Sequence, residues 1–381
     1  MSRGRIRVAV IGGGIVGCAA AAYLAERGAS VSLFERAAIG AGASGRNLGA
    51  IQHPFDPGLA GLHHESLDLY RSLSADGVGF SLPGAPVGLL LLNPDADAVR
   101  RQAQRMAIAL PELQPTFVED ARALETVLAP GLAACRLETA YPVPPASATA
   151  AFASLALRRG ADLRIGLVAR PRLAGDRVLG VELEDGSRHA ADVVLVAAGP
   201  WSPQLVDPTG AWDPIRPTWG VTLQLRLADP PRHVVEEDEV DAVNRPAAAT
   251  ARAATSVDDD PPSLFSLASA EGASSLGSTF LPVEPEPAPV SALLLERAEA
   301  YLPGIRSAEI LERRICARPQ SIDGRPFIGP VAGVDGLFVC AGHGPWGIST
   351  GPASARLVAD LMLGGAPAVP TEVSASRAVA S

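Results

Sequence analysis

Residues 7–17 read Arg-Val-Ala-Val-Ile-Gly-Gly-Gly-Ile-Val-Gly. An apolar run, Val8 to Ile11, leads straight into glycines. Gly12, Gly14 and Gly17 stand in the spacing G-x-G-x-x-G, which predicts a buried strand, a tight turn and a helix. Gly12 lets the chain turn sharply, Gly14 presents no side chain to hold a pyrophosphate off the backbone, and Gly17 lets the helix press on the strand. The helix is expected over Cys18–Arg27, rich in alanine and stopped by Gly28. Its N-terminus offers free N–H groups and roughly half a positive charge to a phosphate. A second strand over Ser30–Phe34 ends at Glu35. That carboxylate stands 23 positions beyond Gly12, close to the spacing of an acid that grips a ribose hydroxyl. Together these elements describe a site for the ADP half of a dinucleotide. They do not choose between a flavin and a nicotinamide.

The whole chain narrows the choice. Its 381 residues are enough for two domains, and 48% hydrophobic with 19% charged residues suits a packed core. The net charge of −9 comes with no basic cluster, which argues against nucleic acid as a partner. All 32 basic residues are arginine, so lysine Schiff-base chemistry is excluded. Cys18, Cys135, Cys316 and Cys340 form no C-x-x-C pair, and a reduced thiol set in a cytoplasmic protein is expected. The apolar start reads as a strand rather than a signal peptide. No apolar run reaches membrane-spanning length. No metal site is expected, because the histidines show no ligand spacing; His63, His64, His189 and His233 read as solvated.

Further along, helices are expected over Leu59–Leu73, Ala98–Ala109 (capped by Asp95 or Asp97), Ala148–Arg159, Ser291–Leu302 and Pro352–Met362. Strands are expected over Val87–Leu92, Asp162–Leu167, Val178–Leu183, Asp192–Ala197, Gly220–Leu227 and Leu337–Ala341, with a hairpin over Leu264–Phe280 turned near Glu271-Gly272. The stretch from Asp229 to Pro262, acidic and rich in alanine and proline, reads as a solvated loop or insertion, with a possible second role as a contact surface. The predicted class is α/β. A Rossmann-like nucleotide domain would be assembled from three segments, residues 1–77, 143–214 and 318–381. A mixed antiparallel substrate domain would be inserted at 78–142 and 215–317.

Four motifs together resemble the FAD-dependent amine and amino-acid oxidoreductases, the group of D-amino-acid oxidase, glycine oxidase and sarcosine oxidase. The first is the opening fingerprint, with Gly12, Gly14, Ile15, Val16, Gly17, Glu35 and Arg36. The second is Ala43-Ser44-Gly45-Arg46-Asn47-Leu48-Gly49, a loop that in the family faces the flavin and its diphosphate. The third is Asp192 to Ser202, where Ala198, Gly199 and Trp201 resemble the strand end that returns to the dinucleotide. Read by itself, Trp201 is equally a core aromatic. Val168 is the nearest match to the family's adenine-contacting valine, one residue short of it. The fourth is Arg318-Pro319-Gln320-Ser321-Ile322-Asp323-Gly324-Arg325-Pro326-Phe327-Ile328-Gly329 together with Leu337–Pro352, which resembles the closing segment along the flavin ring. From that segment the resemblance carries over Gly342, His343, Gly344, Trp346, Gly347 and Ile348. His343 either faces the flavin or caps a turn.

The resemblance implies FAD as cofactor and hydride transfer from a small amine bearing a carboxylate: glycine, a D-amino acid or an N-methyl amino acid. A carboxylate calls for an arginine fork. Arg318 is the expected clamp; otherwise it is a surface arginine packed on Pro319. His53 either reaches the flavin or is structural, and Tyr141 and Tyr301 are candidates to close a substrate pocket. Oxygen or another acceptor would receive the electrons. Sarcosine-oxidase-like members use a lysine in the reaction with oxygen, which this chain lacks, and that adds weight to dehydrogenase behaviour. The alternatives are a flavin dehydrogenase of a 2-hydroxy acid or glycerol phosphate, and a flavin subunit working with a partner chain.

Overall fold

The computed structural model describes residues 5–238 and 263–377. The first strand, Arg7–Ile11, lies inside a six-stranded sheet. Its neighbours are Ser30–Glu35 on one side and Val193–Val196 on the other, both parallel to it. Asp162–Ile165 and Leu337–Ala341 extend the sheet in parallel, and Phe327–Pro330 adds an antiparallel edge. The strands thus come from both chain ends and the middle. Parallel strands need cover on both faces. One face carries helices Ile15–Glu26, Ser147–Arg158 and Gly347–Met362. The other is covered by the small sheet of Ala169–Ala174, Arg177–Leu183 and Arg188–Ala190.

The helix after the glycine turn begins at Ile15, three residues before the expected Cys18, and every residue from Ile15 to Leu24 is buried. Small alanines on all sides let it pack simultaneously on the sheet and on two helices; a helix apolar all round belongs in an interior. Gly17 makes the first of these contacts possible: a Cβ there would lie 1.9 Å from the Gly12 carbonyl oxygen.

The second layer system is an eight-stranded sheet. Its order is Glu309–Ser321, Ile215–Arg226, Ala273–Thr279, Ser263–Ala270, Val234–Glu237, Leu89–Asn93, Ala133–Leu137 and Thr116–Val118. Helix Pro287–Glu299 packs on one face and helix Ala96–Ala109 on the other. The latter is capped as its sequence foretells, Asp95 accepting from the N–H groups of Asp97 and Ala98. The hairpin turns at Glu271 and Gly272, both with positive φ. Helix Pro287–Glu299 starts four residues before the expected Ser291, with Pro287 in the first turn where its missing N–H costs nothing.

Three expectations fail in the described residues. The stretch from Asp229 does not read throughout as a solvated loop: Val234–Glu237 is an interior strand, all four residues buried, parallel to Leu89–Leu92. The part of that stretch from 239 to 262 lies outside the described residues. The last helix begins at Gly347, with Pro352 inside it rather than at its start. Proline removes the N–H that would reach the Ile348 carbonyl. Helix Ala60–Ala75 supplies substitutes from one face. Tyr70 Oη donates to Ile348 O at 2.7 Å, Ser66 Oγ accepts from Ala353 N at 3.1 Å, and His63 Nδ1 lies 3.3 Å from Ser349 O. His63 is therefore buried, not solvated as expected.

Candidate active site

A cavity of about 860 Å³ runs from the first glycine turn, past the start of the last helix, to the face of the eight-stranded sheet. At the turn, Gly12 has φ +113°, and a Cβ there would sit 2.4 Å from the Ala197 carbonyl oxygen. Only glycine tolerates both conditions. Gly14, Ile15 and Val16 line the cavity, while Gly17 stands behind them as a packing contact. Glu35 accepts from Gly13 N at 2.7 Å and Ala37 N at 2.8 Å, so both carboxylate oxygens are oriented at the cavity wall. Each retains a lone pair for a further donor.

The loop Ala43–Gly49 divides into two kinds of residue. Ser44, Asn47 and Leu48 line the cavity. Ser44 Oγ accepts from Ile15 N at 3.0 Å, capping the first helix from a distant segment, and keeps its own proton to donate. Asn47 is spent on the loop itself: its amide donates to the Ser44 carbonyl at 2.9 Å, and its Oδ1 accepts from Gly49 N at 2.8 Å. Gly45 and Gly49 do not line the cavity. Their missing side chains admit the carbonyl oxygens of Gly40 and Val143.

Ala198, Gly199 and Trp201 lie on the opposite wall, with the Arg36 guanidinium 3.9 Å from the centre of the Trp201 ring. Such a pair is a cation–π contact; Trp201 is half-buried rather than a core aromatic. Val168 is at the wall, between Leu167 and Ala169, and about half exposed.

From the closing segment, His343, Gly344, Trp346, Gly347 and Ile348 line the cavity, and Gly342 lies behind them. His343 is 3% exposed, and its Nε2 is buried with no hydrogen-bond partner among the described residues. Burial pushes its pKa down to about 4, so it is neutral at ordinary pH.

Arg318 lies on strand Glu309–Ser321, beside strand Ile215–Arg226. Its guanidinium rests over Gly220, where a Cβ would come within 2.4 Å of Nη1. Nη1 donates to the Thr279 carbonyl at 2.8 Å, Nη2 donates to Ser278 Oγ, and the Phe280 ring lies 4.8 Å away. Burial lowers its pKa, but a guanidinium stays charged. The same motif also contains structural ties: Asp323 pairs with Arg377 and Arg325 with Asp56.

The other histidine and the two tyrosines lie elsewhere. His53 does not line the cavity; its Nδ1 lies 2.6 Å from the Pro54 carbonyl, and its ring packs on His63. Tyr141 pairs with Ile51 in a short ladder, and Tyr301 stacks on Phe265; neither lines the cavity. Among the cavity residues that the sequence did not single out are Gln52 and Glu236, 6% and 3% exposed. A valine pair before Glu236 is the one local signal of a strand there, and an acidic surrounding stretch masks it.

These groups suit FAD: a glycine turn of close approach, a carboxylate at the second strand end, an unpartnered histidine nitrogen and a helix start at Gly347. The comparisons agree. Residues 7–361 match the family model described as FAD dependent oxidoreductase. Glycine oxidase of Pseudomonas aeruginosa is 30% identical over 380 residues, covering 95% of this chain and 96% of that protein. D-amino acid dehydrogenase of Methylobacterium nodulans is 30% identical over 59% of this chain and 49% of its own. Among solved structures, glycine oxidase from Geobacillus kaustophilus superimposes with a TM-score of 0.80 at 25% identity, covering 98% of this chain and 100% of its own.

The fold and site are those of a flavin-dependent oxidoreductase acting on CH–NH groups. The chain belongs to the FAD-dependent oxidoreductase family, with FAD as its cofactor. No helix among the described residues is long and apolar enough to cross a membrane.

Proposed function

We propose that this enzyme oxidises a small amine bearing a carboxylate, of the class of glycine, a D-amino acid or an N-methyl amino acid. The observation that carries this reading is Arg318, a guanidinium held inside the cavity over Gly220. Among the described residues it gives hydrogen bonds only to Thr279 and Ser278. Three of its five N–H donors are left, enough for the two parallel bonds a carboxylate accepts.

The residues of the opening turn, Gly12 to Val16, would hold the diphosphate, with Glu35 on the ribose and Val168 near the adenine. The segment His343 to Ile348 would lie along the flavin ring. When bound, FAD would supply the acceptor for a hydride leaving the carbon that bears the amine. Arg318 fixes the carboxylate and hence that carbon; the apolar walls exclude water, which favours the neutral amine. The substrate leaves as an imine, which water hydrolyses. Neutral His343 contributes a hydrogen-bonding group without adding a charge to the ring site.

The test is anaerobic mixing of holoenzyme with a panel of amino acids while visible flavin absorbance is followed. Bleaching by one or more of them supports the reading. A flavin that stays oxidised with every amine, but bleaches with a 2-hydroxy acid, overturns it.

A further inference from the structure

Two buried side-chain atoms on cavity-lining residues have no hydrogen-bond partner among the described residues: Nε2 of His343 and Oε1 of Gln52. His343 stands in the segment assigned to the flavin ring. Gln52 has no part in the reaction as described so far. It is 6% exposed and directly follows the short strand Ala50–Ile51. A buried amide oxygen left unbonded costs free energy unless a donor arrives, so this oxygen marks a place for a ligand's N–H or O–H.

Two contacts hold the glutamine in place. Its backbone N–H donates to Ser349 Oγ at 3.1 Å, which ties it to the last helix beside the ring segment. At the other end, Nε2 donates towards the two oxygens of Glu236 at 3.4 and 3.5 Å. Glu236 lies on the interior strand Val234–Glu237 of the eight-stranded sheet. A carboxylate oxygen accepts, so the amide turns its NH2 to Glu236 and its Oε1 away. Gln52 thus bridges the ring wall and the substrate wall with its acceptor oriented.

The register sets the separation from Arg318. That guanidinium reaches over Gly220 to Ser278; the adjacent Gly277 pairs with Ser266, and Ser266 with Glu236. Two interstrand steps separate Gly277 from Glu236, roughly 10 Å. A hydrogen bond from the guanidinium to a carboxylate, the span from that carboxylate to its α-nitrogen, and one further hydrogen bond together cover about 9 Å. The two lengths are comparable. Small residues floor the space between: Gly277 has no side chain, and Ser266 is short.

We propose that Gln52 Oε1 accepts a hydrogen bond from the α-amine of the substrate and aims that amine for reaction. This rests on the reading of Arg318 as the carboxylate clamp. A neutral amine gives one N–H to the glutamine and keeps its lone pair. When the Cα–H bond breaks, its electron pair leaves with the hydrogen as hydride to the flavin, and the nitrogen lone pair forms the C=N bond. Positive charge then develops on nitrogen, and its N–H becomes a stronger donor. The bond to Gln52 is therefore stronger in the transition state than in the ground state, which raises rate rather than affinity.

The experiment follows anaerobic flavin reduction in native holoenzyme and in Gln52→Met by the fastest amino acid of the panel above, with its N-methyl and N,N-dimethyl forms. In parallel, the matching carboxylate without the nitrogen (acetate for glycine, propionate for alanine) is titrated, and its Kd is read from the shift of the flavin spectrum. In the native enzyme the N,N-dimethyl form, which has no N–H as a neutral amine, should react about tenfold or more slowly than the N-methyl form. Gln52→Met should lower the limiting rate for N–H amines by about tenfold to a hundredfold, the range for a charge-assisted bond, and shrink the penalty on the dimethyl form. The Kd of the nitrogen-free carboxylate should hold within about twofold, a change well under 1 kcal/mol. Equal native rates for the N-methyl and N,N-dimethyl forms overturn the proposal while leaving amino-acid oxidation intact. An unchanged limiting rate in Gln52→Met overturns it as well, and so does a loss matched by equal weakening of the nitrogen-free carboxylate. Failure of every amino acid to reduce the flavin overturns the reading of Arg318 and this one with it. The native comparison needs no variant, so a Gln52→Met that loses its flavin still leaves a decisive result.

Discussion

The Tyr70 hydroxyl donates to the carbonyl of Ile348, the carbonyl that Pro352 leaves without its helical partner. A proline six residues into a helix ordinarily costs ~3 kcal/mol. Here a side chain from the neighbouring helix restores the missing bond and ties that helix to the residues lining the cavity. Tyr70→Phe should therefore lower stability by about 1–3 kcal/mol, the cost of a buried carbonyl left unbonded. In Pro352→Ala the backbone N–H returns, so the same tyrosine change should cost less. Denaturant unfolding of the two single variants and the double variant measures this coupling, and strict additivity would refute it.

Gly17→Ala should remove the flavin. The added methyl would overlap the Gly12 carbonyl oxygen, and neither helix nor strand can retreat inside a packed interior. The measurement is the ratio of flavin to protein absorbance after purification. Full flavin content in Gly17→Ala would mean that the close contact is not needed for the turn.

Gly220→Ala and Arg318→Ala should affect the same property to different degrees. A methyl at position 220 displaces the guanidinium without deleting it. Loss of about tenfold in kcat/KM is expected there, and about a hundredfold or more in Arg318→Ala, on the scale of a charge-assisted bidentate bond. Flavin content should be unchanged in both. Unaltered turnover in Arg318→Ala would remove the arginine from the substrate site.

Acid should destabilise the protein through its buried histidines. His343 titrates at about 4 and His63 at about 3 in the folded chain, both held down mainly by burial. The unfolded chain binds these protons near pH 6.5. The stability they contribute is full above pH 6.5 and is lost as pH falls through that value towards 4. The slope is up to about 1.4 kcal/mol per pH unit for each histidine. Unfolding free energies from pH 7.5 to 4.5 measure it, and His343→Asn should flatten the curve; an unchanged slope would count against a neutral buried His343.

The first nucleotide-binding elements were legible because their determinants are local. A strand, a glycine turn, a helix and an acid follow one another within the first 35 residues, and each signals itself through composition. Arg318 was legible through its motif, but the vacancy it fills at Gly220 was not, since glycine in an alternating strand gives no hint of a neighbour's side chain. Glu236 was hidden for a deeper reason. Its burial depends on parallel pairing with Leu89–Leu92, well over a hundred residues earlier, and composition nearby points to solvent. His63 and the start of the last helix share that cause: polar groups on one helix offset a proline on another, which neither segment reveals alone.

The cavity is walled by residues from Ile11 to Ser349. During synthesis the opening turn leaves the ribosome well before the last helix, and until then it meets only part of the cavity lining. The wall from His343 to Ser349 is not in place until the chain beyond Ser349 has emerged and the last helix has settled against Tyr70. Completion of the cavity thus waits for the last helix, and a chain stalled before that point would carry the glycine turn without the lining that His343 to Ser349 supply.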